Sequence, residues 1–195
     1  MTRPVVHLVD GTLELFRCFH GAPRAKDADG NEVGAARALL WTLLKLLRKE
    51  GGTHVAVAFD LMGPPDRRDG SADALLREQQ RLAMDVTRAL GLQVWPAVRN
   101  QADDLLASGA ARLRASADVV ICTTDKDLLQ CVRGAEVVLR DRIRSRTTDE
   151  AGLFDRFGVR PEQIPTRSAL VGDPSDGLPG VPGWGSKAAA TVLGA

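Results

Sequence analysis

Apolar residues fall into two alternating rhythms along this chain. Unbroken runs, PVVHLV from Pro4, HVAVAFD ending at Asp60 and DVVICTT ending at Thr124, read as strands buried on both faces, because a strand with one wet face would alternate instead. LQVWPAV, ending at Val98, is a weaker strand signal of the same kind. Between these runs the apolar positions recur every three or four residues, in GTLELFRCFHG, ARALLWTLLKLLRKE, ALLREQQRLAMDVTRALG and QADDLLASGAARLRA, the last despite an interior glycine. That spacing marks helices with one buried stripe, and Gly51, Gly52 and Gly91 close two of them. Strand and helix alternation predicts an α/β fold, a mostly parallel sheet flanked by helices on both faces.

The texture changes past residue 134. AEVVL reads as a short strand that leads into RDRIRSR, an arginine-rich ribbon or loop. Thr148 is placed to cap a helix in DEAGLFDRFG, and Pro161 to open another in EQIPTRSALVG. The end, GDPSDGLPGVPGWGSKAAATVLGA, is punctuated by glycine and proline before a last helical turn or two. No repeat or long linker separates independent domains, so the expected organisation is a core over residues 1–139 and an extension over 140–195.

At 195 residues and 44% hydrophobic content the chain can bury a substantial core. It has no clean apolar stretch of about 18 residues, which sets the expectation of a soluble, cytoplasmic protein away from membranes. Cys18, Cys122 and Cys131 have neither zinc spacing nor the even count of a disulfide framework. Lysine and arginine (26) nearly cancel aspartate and glutamate (25), so the net charge of +1 excludes no class of partner. What changes the picture is where the acids stand.

Asp10, Asp60 and Asp125 follow strand-like runs, and Gln101, Asp103 and Asp104 open a helix. Asp127 follows Asp125, while Asp173 and Asp176 share the turn GDPSDG. In a parallel sheet the strand ends gather at one rim, the usual ligand edge, where so many carboxylates repel one another unless cations bind. Oxygen ligands without a histidine cluster suit magnesium or manganese, and two such ions support phosphodiester hydrolysis without a covalent nucleophile. The bland alternative is that each aspartate is a helix cap or a turn residue.

The pieces VDGTLELFR, VAFD, QADDLLA, TTDKDLLQ and ALVGDPSDGLPGVPGWGSKAA, in this order, resemble the 5′-nuclease family, which comprises the 5′-3′ exonuclease domain of bacterial DNA polymerase I and the flap endonucleases. The resemblance spans nearly the whole chain. It implies a PIN-like core, a small C-terminal helix-hairpin-helix type element and divalent-metal-dependent cleavage of DNA with a 5′ end or flap. It assigns Asp10, Asp60 and Asp103 to one Mg²⁺ or Mn²⁺, and Asp125, Asp127 and Asp176 to a second, with Asp104 and Asp173 auxiliary. Phe16 falls where a tyrosine near the substrate's 5′ end is usual, and is either a stacking ring or core packing. In the hairpin element Gly183, Gly185 and Lys187 would approach a duplex phosphate, and carbonyls there can hold K⁺.

The chain also departs from the family pattern. Gln101 stands where glutamate is usual, which removes a charge from the ligand set, and Gly177 stands where asparagine is common. The segment MGPPDRRDGS is shorter than the family's basic, aromatic arch; in it Arg67 falls at the position that contacts the scissile phosphate, with Arg68 beside it. Arg140, Arg142, Arg144 and Arg146 would align on one face of a strand and contact DNA, or simply form a solvated edge. Two rivals remain beside the nuclease: a catalytically weakened DNA-binding module of the same fold, and a PIN-type ribonuclease.

Overall fold

The computed structural model describes residues 3–63 and 71–194. The chain divides into two compact units, residues 1–109 and 110–195.

In the first unit the strands β1 (Val5–Asp10), β2 (His54–Asp60) and β3 (Gln93–Ala97) pair in parallel, with β2 in the middle. Parallel neighbours need crossovers, which are provided by the helices α1 (Gly11–Gly21), α2 (Gly34–Lys49) and α3 (Ala72–Ala89). The register sets Asp10 opposite Ala58 and Asp60 opposite Ala97, so both acids stand at the carboxyl ends of their strands. Leu8, Val9, Val57 and Phe59 are fully buried in the sheet, and Leu39, Leu43 and Leu46 form the buried stripe of α2. Each such side chain contributes about 1.5–3 kcal/mol of transfer free energy.

Two glutamines of α3 are buried among these apolar groups, and each uses both the oxygen and the nitrogen of its amide. Gln79 accepts the Ala36 N–H at 3.0 Å and donates to the carbonyl of Glu32, which ties α3 to the start of α2. Gln80 donates to the Asp60 carbonyl at 2.6 Å and accepts the Met62 N–H at 3.0 Å, which fixes the backbone on either side of Leu61. The interior glycine of the fourth helix, α4 (Ala102–Leu113), has a packing reason. A Cβ on Gly109 would lie 2.7 Å from the Trp95 ring, so only glycine lets α4 lie this close to β3.

The second unit pairs β4 (Asp118–Cys122) in parallel with β5 (Val137–Asp141), and β5 antiparallel with β6 (Arg146–Thr148). Residues 142–145 turn between the last two strands, with Arg140 opposite Thr147 and Asp141 opposite Arg146. The four arginines therefore do not align on one strand face as expected: Arg140 is on β5, Arg142 and Arg144 are in the turn, and Arg146 starts β6. Asp141 makes that turn. Its Oδ1 accepts the N–H groups of Ile143 (3.0 Å) and Arg144 (2.9 Å), and its Oδ2 accepts the Arg144 guanidinium at 2.9 Å.

Helices α5 (Glu150–Phe157), α6 (Ile164–Val171) and α7 (Ser186–Leu193) complete this unit. The cap of α5 is Asp149, whose side chain accepts the Gly152 N–H at 2.8 Å, and not Thr148. Thr148 is held in β6 opposite Leu139, and a carboxylate is the stronger acceptor. Between α6 and α7 the backbone crosses itself closely: a Cβ on Gly172 would meet the Leu178 carbonyl at 2.7 Å, at a φ of +85°. No disulfide joins Cys18, Cys122 and Cys131, and among the described residues no helix is long and apolar enough to cross a membrane.

Candidate active site

Three acids of the first unit, Asp10, Asp60 and Asp104, accept backbone N–H groups. Asp10 ends β1 and caps α1, its Oδ1 accepting the Leu13 N–H at 2.9 Å. Asp60 ends β2 and is fixed on three sides: its N–H donates to Thr12 Oγ at 2.8 Å, its carbonyl accepts Gln80, and its Oδ1 accepts the Ala102 N–H at 2.7 Å. The last of these bonds starts α4 beneath the Asp60 carboxylate. Asp104 reaches back to accept the Gln101 N–H at 3.1 Å at the same helix start. Asp103 is half-buried, while Gln101 and Asp104 are exposed. Capping and a ligand role are compatible, since a carboxylate has a second oxygen.

The second unit is built differently. After β4 the chain turns through Thr124 into a 3₁₀ turn, Asp127–Cys131. The Asp125 N–H donates to Thr123 Oγ (3.1 Å) and the Asp127 N–H to Asp125 Oδ1 (2.8 Å), which sets both acids on one tight loop. Burial, then the Asp125, Asp176 and Asp173 carboxylates, push the Asp127 carboxyl above its ordinary range. Asp127 thus sits where the carboxylates of Asp125, Asp176 and Asp173 all act on it, an environment that favours a bound cation.

Asp173 has its own partners. Its Oδ1 accepts the Ser175 N–H at 3.0 Å and the Ser175 hydroxyl, and its Oδ2 accepts the Lys126 ammonium at 2.9 Å. The Ser175 hydroxyl first, and then Lys126, hold its carboxyl down at about 2. Lys126 is therefore a latch between the Asp125 loop and the turn that carries Asp176, a role that sequence spacing alone did not reveal. The motif TTDKDLLQ contains that lysine between its two acids, and this position is the signal that could have found it. Asp176 itself is exposed.

Among the described residues no three Asp, Glu, His or Cys side chains are drawn together tightly enough to enclose an ion. The donor set nevertheless fits a hard divalent cation: it is oxygen-only, and in the second unit it carries repulsion that a cation relieves. Phe16 is exposed on α1 and packs against His20 with ring centroids 4.3 Å apart, so it is a surface ring rather than core. Gly183, at a φ of +82°, and Gly185 lie exposed before α7, with Lys187 exposed in its first turn. Arg140 donates to Thr147 Oγ across the hairpin at 2.8 Å. Arg67 and Arg68 lie outside the described residues.

DNA polymerase I of Mycobacterium leprae is 36% identical over 97% of this chain, and that of Pseudomonas aeruginosa 37% identical over 99%. The chain spans about a fifth of the length of those two relatives, 22% of each. A 5′-3′ exonuclease of Mycobacterium tuberculosis is 32% identical over 99% of this chain and 70% of its own length. Among solved structures, T5 5′-exonuclease with bound zinc ions superposes with a TM-score of 0.77 at 18% identity, covering 97% of this chain and 74% of that one. The catalytic core of Rad2 in complex with DNA gives 0.62 at 17% identity, covering 98% and 61%. These superpositions show the fold, the PIN-like, mostly parallel α/β architecture expected from the sequence. A profile described as 5′-3′ exonuclease, N-terminal resolvase-like domain, matches residues 5–158, and with these relatives it establishes that the chain belongs to the 5′-3′ exonuclease family.

Proposed function

We propose that this chain hydrolyses phosphodiester bonds of DNA at or near a 5′ end, as a divalent-metal-dependent 5′-3′ exonuclease or flap endonuclease. The observation that carries the reading is the gathering of the Asp125 and Asp176 carboxylates around Asp127, on the loop after a parallel strand and on the turn latched to it. Asp10, Asp60 and Asp103 would hold one Mg²⁺ or Mn²⁺, and Asp125, Asp127 and Asp176 a second. Cations bound there would lower the pKa of an attacking water and offset the charge that develops on the phosphate.

The chain's own residues do the positioning. Thr12 and Gln80 fix the backbone of Asp60, and Asp60 in turn fixes the start of α4 with Asp103. Lys126 keeps Asp173 occupied, so Asp173 orients the turn rather than taking a cation directly. The exposed Phe16 ring offers a stacking surface for a terminal base. Residues 140–195 are assigned to DNA binding through Arg140, Arg142, Arg144 and Arg146 and through Gly183, Gly185 and Lys187, with K⁺ at the glycine turn. Arg67, with Arg68, is assigned to the scissile phosphate.

A weakened DNA-binding module is the second reading, favoured by one feature: Gln101, at the start of α4, offers an amide where a carboxylate would add charge. Cleavage of end-labelled single-stranded, duplex, nicked and 5′-flap DNA, with matching RNA, tests both in Mg²⁺, Mn²⁺ and EDTA. Metal-dependent DNA products that vanish with Asp127→Asn are expected, and their lengths choose between exonuclease and flap cutting. DNA binding in EDTA without products would replace the proposal with the binding module, and preferential RNA cleavage with a ribonuclease.

A further inference from the structure

The second unit holds a cavity that neither the carboxylates nor the hairpin element explains. It has a volume of about 280 Å³ and is bordered by the loop at Asp125 and Lys126, by the β5–β6 hairpin at Asp141, Arg144 and Arg146, and by Arg156 of α5. Its charge is unevenly met. Arg144 is paired with the buried Asp141, and Lys126 with Asp173. Among the described residues neither Arg146 nor Arg156 forms a salt bridge.

The arginines are also held in place. The Asp141 turn fixes Arg144 through its N–H and its guanidinium, and Arg146 begins the strand that pairs back with Asp141. Arg156 lies over the Phe157 ring, its guanidinium carbon 4.7 Å from the centroid, which orients the planar fork. Burial, then Arg146, Arg144 and Arg167, lower the proton affinity of Arg156, with Asp141 opposing. Such a cluster presents guanidiniums to the cavity beyond those its own carboxylates pair, and forked guanidiniums match the paired oxygens of phosphate.

We propose that this cavity is a phosphate subsite, in which Arg144, Arg146 and Arg156 grip a phosphate of the DNA strand next to the Asp125 loop. The proposal rests on the DNA reading above and deepens it by adding Arg156, which the sequence did not mark, and by replacing a linear arginine ribbon with a pocket. The shared chemistry is a phosphate oxyanion. It belongs either to the substrate's 5′-terminal monoester or to an internal diester.

Fluorescence anisotropy of a labelled 5′-flap duplex, with the full chain in EDTA across a salt series, tests it without any cleavage. Arg156→Gln and Arg146→Gln should each weaken binding about tenfold at low salt and lower the slope of log affinity against log salt by about one. Arg156→Lys, which keeps the charge but not the fork, should fall between. Arg112→Gln on α4, outside the cavity, should match the wild type. Competition then separates the two sources: thymidine 5′-monophosphate displacing DNA from the wild type better than from Arg156→Gln assigns the terminal monoester, and the dinucleoside monophosphate TpT doing so assigns a diester.

Affinity and slope unchanged in both Gln variants would overturn the subsite and leave the nuclease reading intact, since wild-type cleavage reports on that separately. A wild type that cuts no DNA, but loses affinity in these variants as expected, would remove the nuclease and keep the subsite.

Discussion

Asp10 and Asp60 in the first unit accept backbone N–H groups at helix starts, whereas Asp127 in the second is flanked by Asp125, Asp176 and Asp173 and is pushed toward its neutral form. The difference separates two ways of holding charge. Carboxylates held by amides contribute to the fold as well as to any chemistry, so removing one destabilises the protein. Carboxylates held against one another cost stability until a cation arrives, so removing one relieves strain while deleting function.

The largest expected effect lies in the second unit. Asp127→Asn should lower DNA cleavage on the order of a thousandfold, with the thermal midpoint in EDTA unchanged or higher. A large loss of thermal stability in that variant would break the contrast. Mg²⁺ or Mn²⁺ at about a hundredfold excess over its dissociation constant should stabilise the wild type by about 2.7 kcal/mol, and clearly less in Asp127→Asn, as read by calorimetry with and without EDTA.

In the first unit the sign should reverse. Asp60→Ala deletes the acceptor for the Ala102 N–H and should cost about 1 kcal/mol, or roughly 2–4 °C in midpoint, on top of lost activity. Asp60→Asn keeps an acceptor oxygen, so it should lose activity with little change in midpoint. Equal midpoints for the two variants would show that this bond does not anchor α4.

Acid titration sharpens the comparison further. The Asp173 carboxyl, held at about 2 against an ordinary 3.8, contributes stability that is present above pH 4 or so and is lost as pH falls through 2. Lys126→Met should remove part of it, less than about 1 kcal/mol because Lys126 is half-exposed. Asp127 works in the opposite direction: with its carboxyl raised, the metal-free protein gains from that site as pH falls from neutral. Urea midpoints of the wild type, Lys126→Met and Asp127→Asn across acidic pH would show the two slopes. The smallest effect is expected for Gln101→Glu, a few-fold rise in cleavage at limiting metal, measured as initial rate against metal concentration. No rise would mean that another group already supplies that charge.

Much of this was legible in the sequence, because period and position carry it. Continuous apolar runs located the parallel strands, and an acid directly after each run located Asp10, Asp60 and Asp125 at carboxyl ends. Through-space partners were not legible. Gln79 and Gln80 look like ordinary polar positions of a helix, yet both are buried and bonded to distant backbone. The Lys126 to Asp173 pair joins residues far apart in the chain, and Arg156 enters its cavity only because α5 packs beside the hairpin. The arginine alternation suggested a strand, but an aspartate able to accept two amides made a turn of it.

Gln80 has one more consequence, which concerns how this scaffold tolerates change. It grips the chain at Asp60 and Met62, and Ser71 secures the start of α3 by accepting the Ala74 N–H at 3.2 Å. The backbone leaving β2 is therefore moored to the same helix whose start Ser71 caps. The path of the chain at the end of β2 is therefore set by α3 rather than by the acid itself, so a change of the Asp60 side chain leaves that strand end where it is.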